Sequence, residues 1–329
     1  MLFQNAKHPL EMKVTHLNKV KAQRKQQLQL QMVNDKGLTS LISRAFTDLT
    51  KKDNPKKTSK FGLFKNKAAN KNCFVLDFHG DIKATEVQQL REEISTLLTV
   101  AQAEDEVIVR LESSGGMVHA YGLAAAQLAR IKEAGLHLTV CIDKVAASGG
   151  YMMACVADKI LAAPFAVVGS IGVVAQVPNF HDLLEKHDID VEVFTAGKYK
   201  RTVTVFGENT EEDKQKFQQE LEETHKLFKD FVRKYRPSLD VEQVATGEHW
   251  YGEDAITRNL VDALQTSDSY ILEKMTDSEL YAIQSRQKPT IAQKLGISQA
   301  AQAVVATAID KLPDALAKLE SAKMPMVKK

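Results

Sequence analysis

From Cys73 onward, short apolar runs alternate with segments of helical period, and no other feature constrains the fold so tightly. Cys73–Phe78 reads as a strand. Thr85–Ala101 follows as a helix, with Val87, Leu90, Ile94, Leu97 and Leu98 on one face. Val107–Leu111 is the next strand, then a helix from about Val118 to Ala134, then a strand over Leu138–Ile142. A sharp turn leads into a short helix beginning near Met152, and Lys159–Ala163 and Val191–Thr195 are further strand candidates. Strands separated by helices of this length pair in parallel through right-handed crossovers. Thr210–Tyr235 reads as one long amphipathic helix, with Phe217, Leu221, Phe228, Phe231 and Tyr235 on its apolar stripe. Thr210 and Asp213 form a capping pair at its start and Pro237 ends it. Shorter helices are expected near Val241 and Glu253.

The flanks differ from this body. Residues 1–71 hold 16 Lys/Arg against 4 Asp/Glu, a charge of +12, while the remainder carries −10 within an overall +2. This region is expected to be a basic, weakly structured arm, broken by the charged, proline-containing stretch Lys51–Lys57. Leu17, Val20, Leu28, Leu30 and Val33 suggest a helix within it, although their spacing is irregular. Such an arm suits a solvated linker or an anionic lipid surface. Without interleaved aromatic residues it does not suit nucleic acid. The organisation expected is therefore an arm over 1–71, an α/β domain over 72–266 and a peripheral helical segment over 267–329.

Composition limits the chemistry. With 329 residues, 44% of them hydrophobic and 26% charged, the chain has the make-up of a soluble globular protein. Cys73, Cys141 and Cys155 imply no disulfide framework, and the nine histidines are scattered without metal-ligand spacing, so neither a metal nor a cofactor is expected. No apolar stretch reaches the roughly 18 residues that a membrane-spanning helix needs.

Three loops carry the small and polar residues that catalysis requires. Asp143–Tyr151 places Ser148 on a strand-to-helix turn followed by two glycines, where a serine is displayed beside helix-start N–H groups that stabilise developing negative charge. Glu112–Met117 contains Gly115 and Gly116, whose freedom lets backbone N–H groups face a cleft. Val168–Val173 puts Ser170 in another tight turn. Ligand sites of parallel sheets gather at such strand ends. A serine nucleophile needs a base. His79, His119, His137 and His181 are available, but no neighbouring feature marks any of them. A lysine kept neutral by burial is the other route, and Lys198 and Lys200 lie together in Thr195–Arg201.

Lys144–Tyr151, Gly169–Gly172 and Gly197–Arg201 together resemble the signal peptide peptidase A family of serine proteases, in particular its single-domain SohB-like branch. The resemblance covers about residues 73–265, including Gly207–Glu211, Lys229–Val232 and Gly247–Gly252. It implies a ClpP/crotonase-like parallel-sheet fold and a serine-lysine dyad with Ser148 as nucleophile and Lys200 as general base. It further implies that Ser170 orients the lysine and that backbone amides at Gly115 or Gly116 bind the oxyanion. Extended apolar peptides, such as signal-peptide remnants or membrane-protein fragments, would be the substrates. The resemblance also implies a homo-oligomeric ring in which Ser148 and Lys200 can come from neighbouring protomers, and a place on the periplasmic face of the inner membrane.

Two departures stand out. Relatives commonly read Ser-Pro-Gly-Gly where this chain has Ser113-Ser-Gly-Gly116. Relatives of this branch also usually begin with a transmembrane helix, for which the basic arm would be the juxtamembrane linker. A lysine that acts as a base near neutrality must come down from about 10.4 to roughly 7, which requires about 5 kcal/mol of destabilisation of its charged form. Only a closed, dry site supplies that. A crotonase-like acyl-CoA enzyme and a non-catalytic ring-forming membrane scaffold are the alternative readings.

Overall fold

The computed structural model describes residues 10–32 and 71–287. The chain divides into two units, Met12–Ser285 and a second drawn from residues 1–11 and 286–329, of which only Leu10, Glu11, Arg286 and Gln287 are described. The Lys51–Lys57 break and the Ala/Leu/Ile-rich tract beyond Lys288 lie outside the described residues.

As the apolar alternation requires, the first unit is a mixed α/β fold on a mostly parallel sheet. Strand β1 (Leu10–His16) and helix α1 (Leu17–Met32) come first. Then follow β2 (Lys71–Gly80), α2 (Val87–Leu97), β3 (Glu106–Ser113), α3 (Val118–Glu133) and β4 (His137–Ile142). Next are β5 (Val145–Ala147), α4 (Gly149–Ala154), β6 (Lys159–Ala162) and β7 (Val167–Gly169). After α5 (His181–Glu185) and α6 (Glu211–Tyr235) come α7 (Val241–Val244), β8 (His249–Tyr251), α8 (Gly252–Thr257), β9 (Ala263–Leu264), α9 (Ser267–Lys274) and β10 (Ser278–Gln287). The main sheet runs β1-β10-β2-β3-β4-β6-β9. A smaller set leaves it at β3, where β5 pairs with β3 and β7 in parallel and β7 pairs with β8 antiparallel.

The two-residue period of the strands sorts side chains between two cores. Phe74, Leu76 and Phe78 of β2 join Val107 and Val109 of β3 beneath α2, α3 and α4. Cys73, Val75, Ile108 and Cys141 face the other way, onto Tyr270 and Ile271 of α9. On that second face the buried Glu106 carboxylate accepts from Thr139 Oγ1 at 2.6 Å and Tyr270 Oη at 2.7 Å, and pairs with Lys274 Nζ at 2.6 Å.

Three expectations change. Leu10–Met32, expected within a weakly structured arm, forms β1 and α1. His16 Nε2 meets Glu279 Oε2 at 2.7 Å, and Asn18 donates to Ser278 O and accepts from Leu280 N. Helix α1 buries no residue, which is why its apolar spacing looked irregular. At the other end, the segment expected to be peripheral and helical begins with α9 and then supplies β10. This strand lies inside the sheet beside β2, with Ser278 opposite Lys71. Its apolar run, Leu280–Ile283, is only four residues long and is flanked by Ser, Glu, Gln and Arg, so the sequence alone does not announce a strand. Finally, Val191–Thr195 forms no strand. Its residues are β-formers, but no neighbouring strand pairs with them, and Val193 and Phe194 stay 47% and 87% exposed.

Helix α6 starts at the expected capping box, in which Asp213 N donates to Thr210 Oγ1 and Thr210 N donates to Asp213 Oδ2. Only Phe228 and Val232 on it are fully buried apolar residues. Its C-terminal end is tied down by buried Arg236, whose guanidinium donates to Asp262 at 2.7 and 2.9 Å and to Asn259 O at 2.9 Å.

Candidate active site

Ser148 occupies the turn between β5 and α4 with φ 52° and ψ −119°. A non-glycine residue there carries strain of about 1–3 kcal/mol, which the surroundings must hold in place. They do so through backbone. Ser148 N donates to Gly169 O at 2.8 Å, and Met152 N donates back to Ser148 O at 3.0 Å. The side chain is left half-buried at the mouth of a small, mostly apolar pocket. Val118, Met152, Val173, Thr224 and Phe228 line that pocket, with Gly116, Gly149 and Gly172 among them.

Glycines make this crowding possible. Gly115 lies at φ +90°, and a Cβ on it would sit 2.7 Å from Gly149 N and 2.8 Å from Ser148 Cβ. Gly116 presses on the Ile82 carbonyl and Gly149 on the ring of Tyr121, where a Cβ would lie 2.2 Å from the oxygen and 2.4 Å from Cγ. The loop after β3 therefore abuts the Ser148 turn directly, as an oxyanion-binding loop must. Its two glycines are not equivalent. Gly115 N–H, expected as an oxyanion donor, is turned to Ser113 Oγ at 3.1 Å. Gly116 N–H and Gly149 N–H make no hydrogen bond among the described residues. The Gly149 amide is one of the helix-start N–H groups expected beside Ser148.

Ser170 follows directly on the Gly169 carbonyl that holds Ser148. It too has positive φ, 50°, and its N–H donates to Glu248 O. The Gly247–Gly252 motif braces this turn. Trp250 covers Gly169, where a Cβ would lie 2.9 Å from its ring, and Arg258 stacks on Trp250 at 5.2 Å.

Lys200 lies elsewhere in the chain. It is exposed, and it lines a cleft formed by Val191–Ala196, Arg201, Thr204 and Phe206 rather than the Ser148 pocket. The turn that carries it is set by Gly197 at φ +100°, with Lys200 N donating to Gly197 O. Asn179 and Asn209 cross-link the limbs of this region through Thr204 O, and Phe180 stacks on Phe206. The two lysines differ sharply. Lys198 Nζ pairs with Glu212 at 2.8 Å and lies over the Tyr199 ring, and the hydrogen bond to Glu212 chiefly holds its pKa above the ordinary lysine value. Lys200 has no ion pair among the described residues.

None of His79, His119, His137 and His181 lines the Ser148 pocket. His181, Asp182 and Glu185 could bring three ligand atoms together, but two of the three are exposed and Asp182 already pairs with His181. A separate polar cleft on the opposite sheet face, around Asp77, Arg110, Asp143 and Lys144, satisfies its charges internally through Arg110–Asp77 and Lys144–Glu112 pairs. Among the described residues no helix is long and apolar enough to cross a membrane.

The model of "Peptidase family S49" matches residues 130–281, and that of "Peptidase family S49 N-terminal" matches residues 2–128. A Haemophilus influenzae protein named "Probable protease SohB" is 65% identical over 223 residues, 68% of this chain and 63% of that relative. The chain thus spans under two thirds of that relative's length. A namesake from Buchnera aphidicola of Schlechtendalia chinensis is 55% identical over 218 residues, 66% of this chain and 70% of the relative. Among solved structures, a 1510-N membrane-bound stomatin-specific protease aligns over 65% of this chain and 98% of its own, at 12% identity and a TM-score of 0.43.

Proposed function

The chain belongs to peptidase family S49, and from that premise we propose that it is a serine endopeptidase cleaving extended apolar peptides through Ser148 and Lys200. The observation that carries this reading is the Ser148 turn: a strained, half-buried hydroxyl beside two N–H groups with no other partner among the described residues. In the proposed reaction Ser148 Oγ attacks the scissile carbonyl carbon while its proton passes to a neutral Lys200 Nζ. The carbonyl oxygen becomes an oxyanion that accepts from Gly116 N–H and Gly149 N–H. Lys200 then returns the proton to the leaving amine as the peptide C–N bond breaks. Water, deprotonated by the same lysine, attacks the acyl-enzyme, and the proton restores Ser148 as the acid product departs. Losing one oxyanion donor costs about 3 to 4 kcal/mol of barrier, so these two amides supply a large share of the catalysis.

A lysine exposed to water stays charged and cannot take the proton. We therefore propose that assembly completes the site, with Lys200 of one copy closing over Ser148 of another. Ser170, next to the serine, would orient that incoming amine. Unburied apolar residues near both partners support this reading, among them Val174 at 91% exposure, Phe194 at 87% and Leu227 at 71%. The apolar lining of the Ser148 pocket supports small or medium apolar side chains beside the cleaved bond. For a periplasmic-face site at the inner membrane, the support is the family resemblance.

The test is labelling of the assembled protein with a fluorophosphonate probe, together with hydrolysis of an apolar peptide. Labelling at Ser148 that is lost in both Ser148→Ala and Lys200→Ala is expected. Labelling that survives Lys200→Ala removes the dyad, and a wild-type protein that is never labelled favours a silent scaffold or an acyl-CoA enzyme.

A further inference from the structure

Tyr121 is a buried residue beside the serine turn whose chemistry the proposed reaction does not use. It lies on α3 with no exposed surface, and its ring and hydroxyl touch different loops. The ring is the floor under Gly149, the residue that follows Ser148. The hydroxyl reaches the loop after β2, donating to Asp81 O at 2.8 Å, and the last residue of β3, meeting Ser113 Oγ. Gly80 leaves room for this meeting, since a Cβ there would lie 2.3 Å from Tyr121 Oη and 2.4 Å from Ser113 Oγ.

Elementary valence fixes every proton in the chain. The Asp81 carbonyl can only accept, so the single phenolic proton of Tyr121 is spent on it. Tyr121 Oη must then accept from Ser113 Oγ–H, and Ser113 Oγ is left to accept from Gly115 N–H. The chain is Gly115 N–H to Ser113 to Tyr121 to Asp81 C=O, with one direction throughout. It occupies the Gly115 amide and leaves Gly116 N–H, on the residue that lines the Ser148 pocket, without a partner among the described residues. Burial raises the Tyr121 pKa, which keeps the phenol protonated and the direction unchanged at working pH.

We propose that Tyr121, acting through Ser113, is the positioning residue of the oxyanion site: its ring sets Gly149 N–H and its hydroxyl sets Gly116 N–H. The proposal rests on the serine peptidase reading above. It also explains how the loop tolerates Ser114 where relatives commonly have proline. Rigidity that a fixed proline φ would give comes instead from a buried hydrogen-bonded chain.

The experiment measures kcat and KM for apolar peptide hydrolysis, with fluorophosphonate labelling rates, on the full-length assembled protein. Tyr121→Phe keeps the ring and removes only the hydroxyl, and Ser113→Ala breaks the same chain one link nearer the amide. Each is expected to lower kcat by about tenfold or more with KM unchanged. The double variant should be no worse than Ser113→Ala alone, because the two act as one unit. Ser113→Thr, which keeps the hydroxyl, should retain most of the rate. A residue that mattered only for folding would change the melting temperature without this split in kcat and KM. If Tyr121→Phe and Ser113→Ala both keep wild-type kcat, or raise only KM, the inference is overturned while the labelled wild type leaves the serine reading standing. A wild-type protein that is never labelled takes both down together.

Discussion

Around Ser148 three loops meet backbone to backbone, and the turn is fixed by the Gly169 and Met152 hydrogen bonds on one side and the Tyr121 chain on the other. Around Lys200 nothing comparable exists. Residues 192–201 are exposed, a Cβ on Gly197 would meet open space, and the cleft beside the lysine is walled by the chain's own loop. The serine turn is built by the fold, and the proposed lysine partner is left exposed. That contrast is the ground for proposing that assembly completes the lysine half. Strain at Ser148 is sustained by the fold itself, whereas in the proposed reaction the desolvation of Lys200 would have to be supplied by a second copy.

The sharpest way to break the contrast is to separate its halves genetically. Ser148→Ala and Lys200→Ala should each reduce hydrolysis by about 10⁴-fold or more, as removal of a nucleophile or its base does elsewhere. Co-assembled from equal amounts, the two inactive variants should recover about a quarter of wild-type activity, since random mixing in a closed ring gives that share of intact Ser148–Lys200 pairs. Activity that stays absent in mixed rings of confirmed composition would place both residues in one copy and end the comparison.

Glycine substitutions test the same contrast through the backbone. An alanine at 149 would place its Cβ 2.4 Å from the Tyr121 ring, and at 115 it would face backbone at 2.7 Å with φ at +90°. Neither collision can be relieved by a flexible side chain. Losses of about 3 kcal/mol or more in stability, and of activity by a hundredfold, are expected in denaturant titrations and peptide assays. Gly197→Ala meets no atom, so only its φ of +100° matters, and about 1 kcal/mol is the expected cost. Equal effects at 149 and 197 would show that the lysine turn is as tightly built as the serine turn.

How much of this could be read from the sequence follows the same division. The main strands, the Ser148 turn and the α6 capping box were legible because each is specified locally, by period, by Ser-Gly-Gly and by Thr-x-x-Asp. Val191–Thr195 was misread because strand propensity is a statement about surface fit, and no strand here offers a surface. β1 and β10 escaped because both lie at one side of the sheet, where partners hundreds of residues away decide the pairing. Tyr121 was hidden for a different reason. A tyrosine on an apolar helix stripe reads as core, and only coordinates show what its hydroxyl reaches.

Helix α6 spans both halves and offers an intermediate effect. At its C-terminal end Arg236 is buried against Asp262, while near its N-terminus the Glu211–Lys214 pair is mostly exposed. Asp262→Asn weakens the partner of a buried guanidinium and should cost about 2–3 kcal/mol in denaturant unfolding. It should also loosen the Phe228 wall of the serine pocket. Glu211→Gln should leave stability unmeasurably changed, because exposed pairs are screened and side-chain entropy opposes them. A large effect at Glu211 would mean that the projecting end of α6 is anchored within the copy after all.

The smallest expected effect discriminates between the two lysines. Glu212 and the Tyr199 ring both favour the charged form of Lys198, so its amine is held protonated and less of it is in the neutral form that could take a proton from serine. Removing it takes away a surface charge and nothing the proposed chemistry uses. Lys198→Ala should therefore retain wild-type kcat and labelling rate, and Glu212→Gln should do the same, while Lys200→Ala is inactive under identical conditions. If the order were reversed, with Lys198→Ala inactive and Lys200→Ala active, the pairing with Glu212 would have to break on assembly. The lysine half of the site would then be rebuilt by its neighbour rather than merely covered.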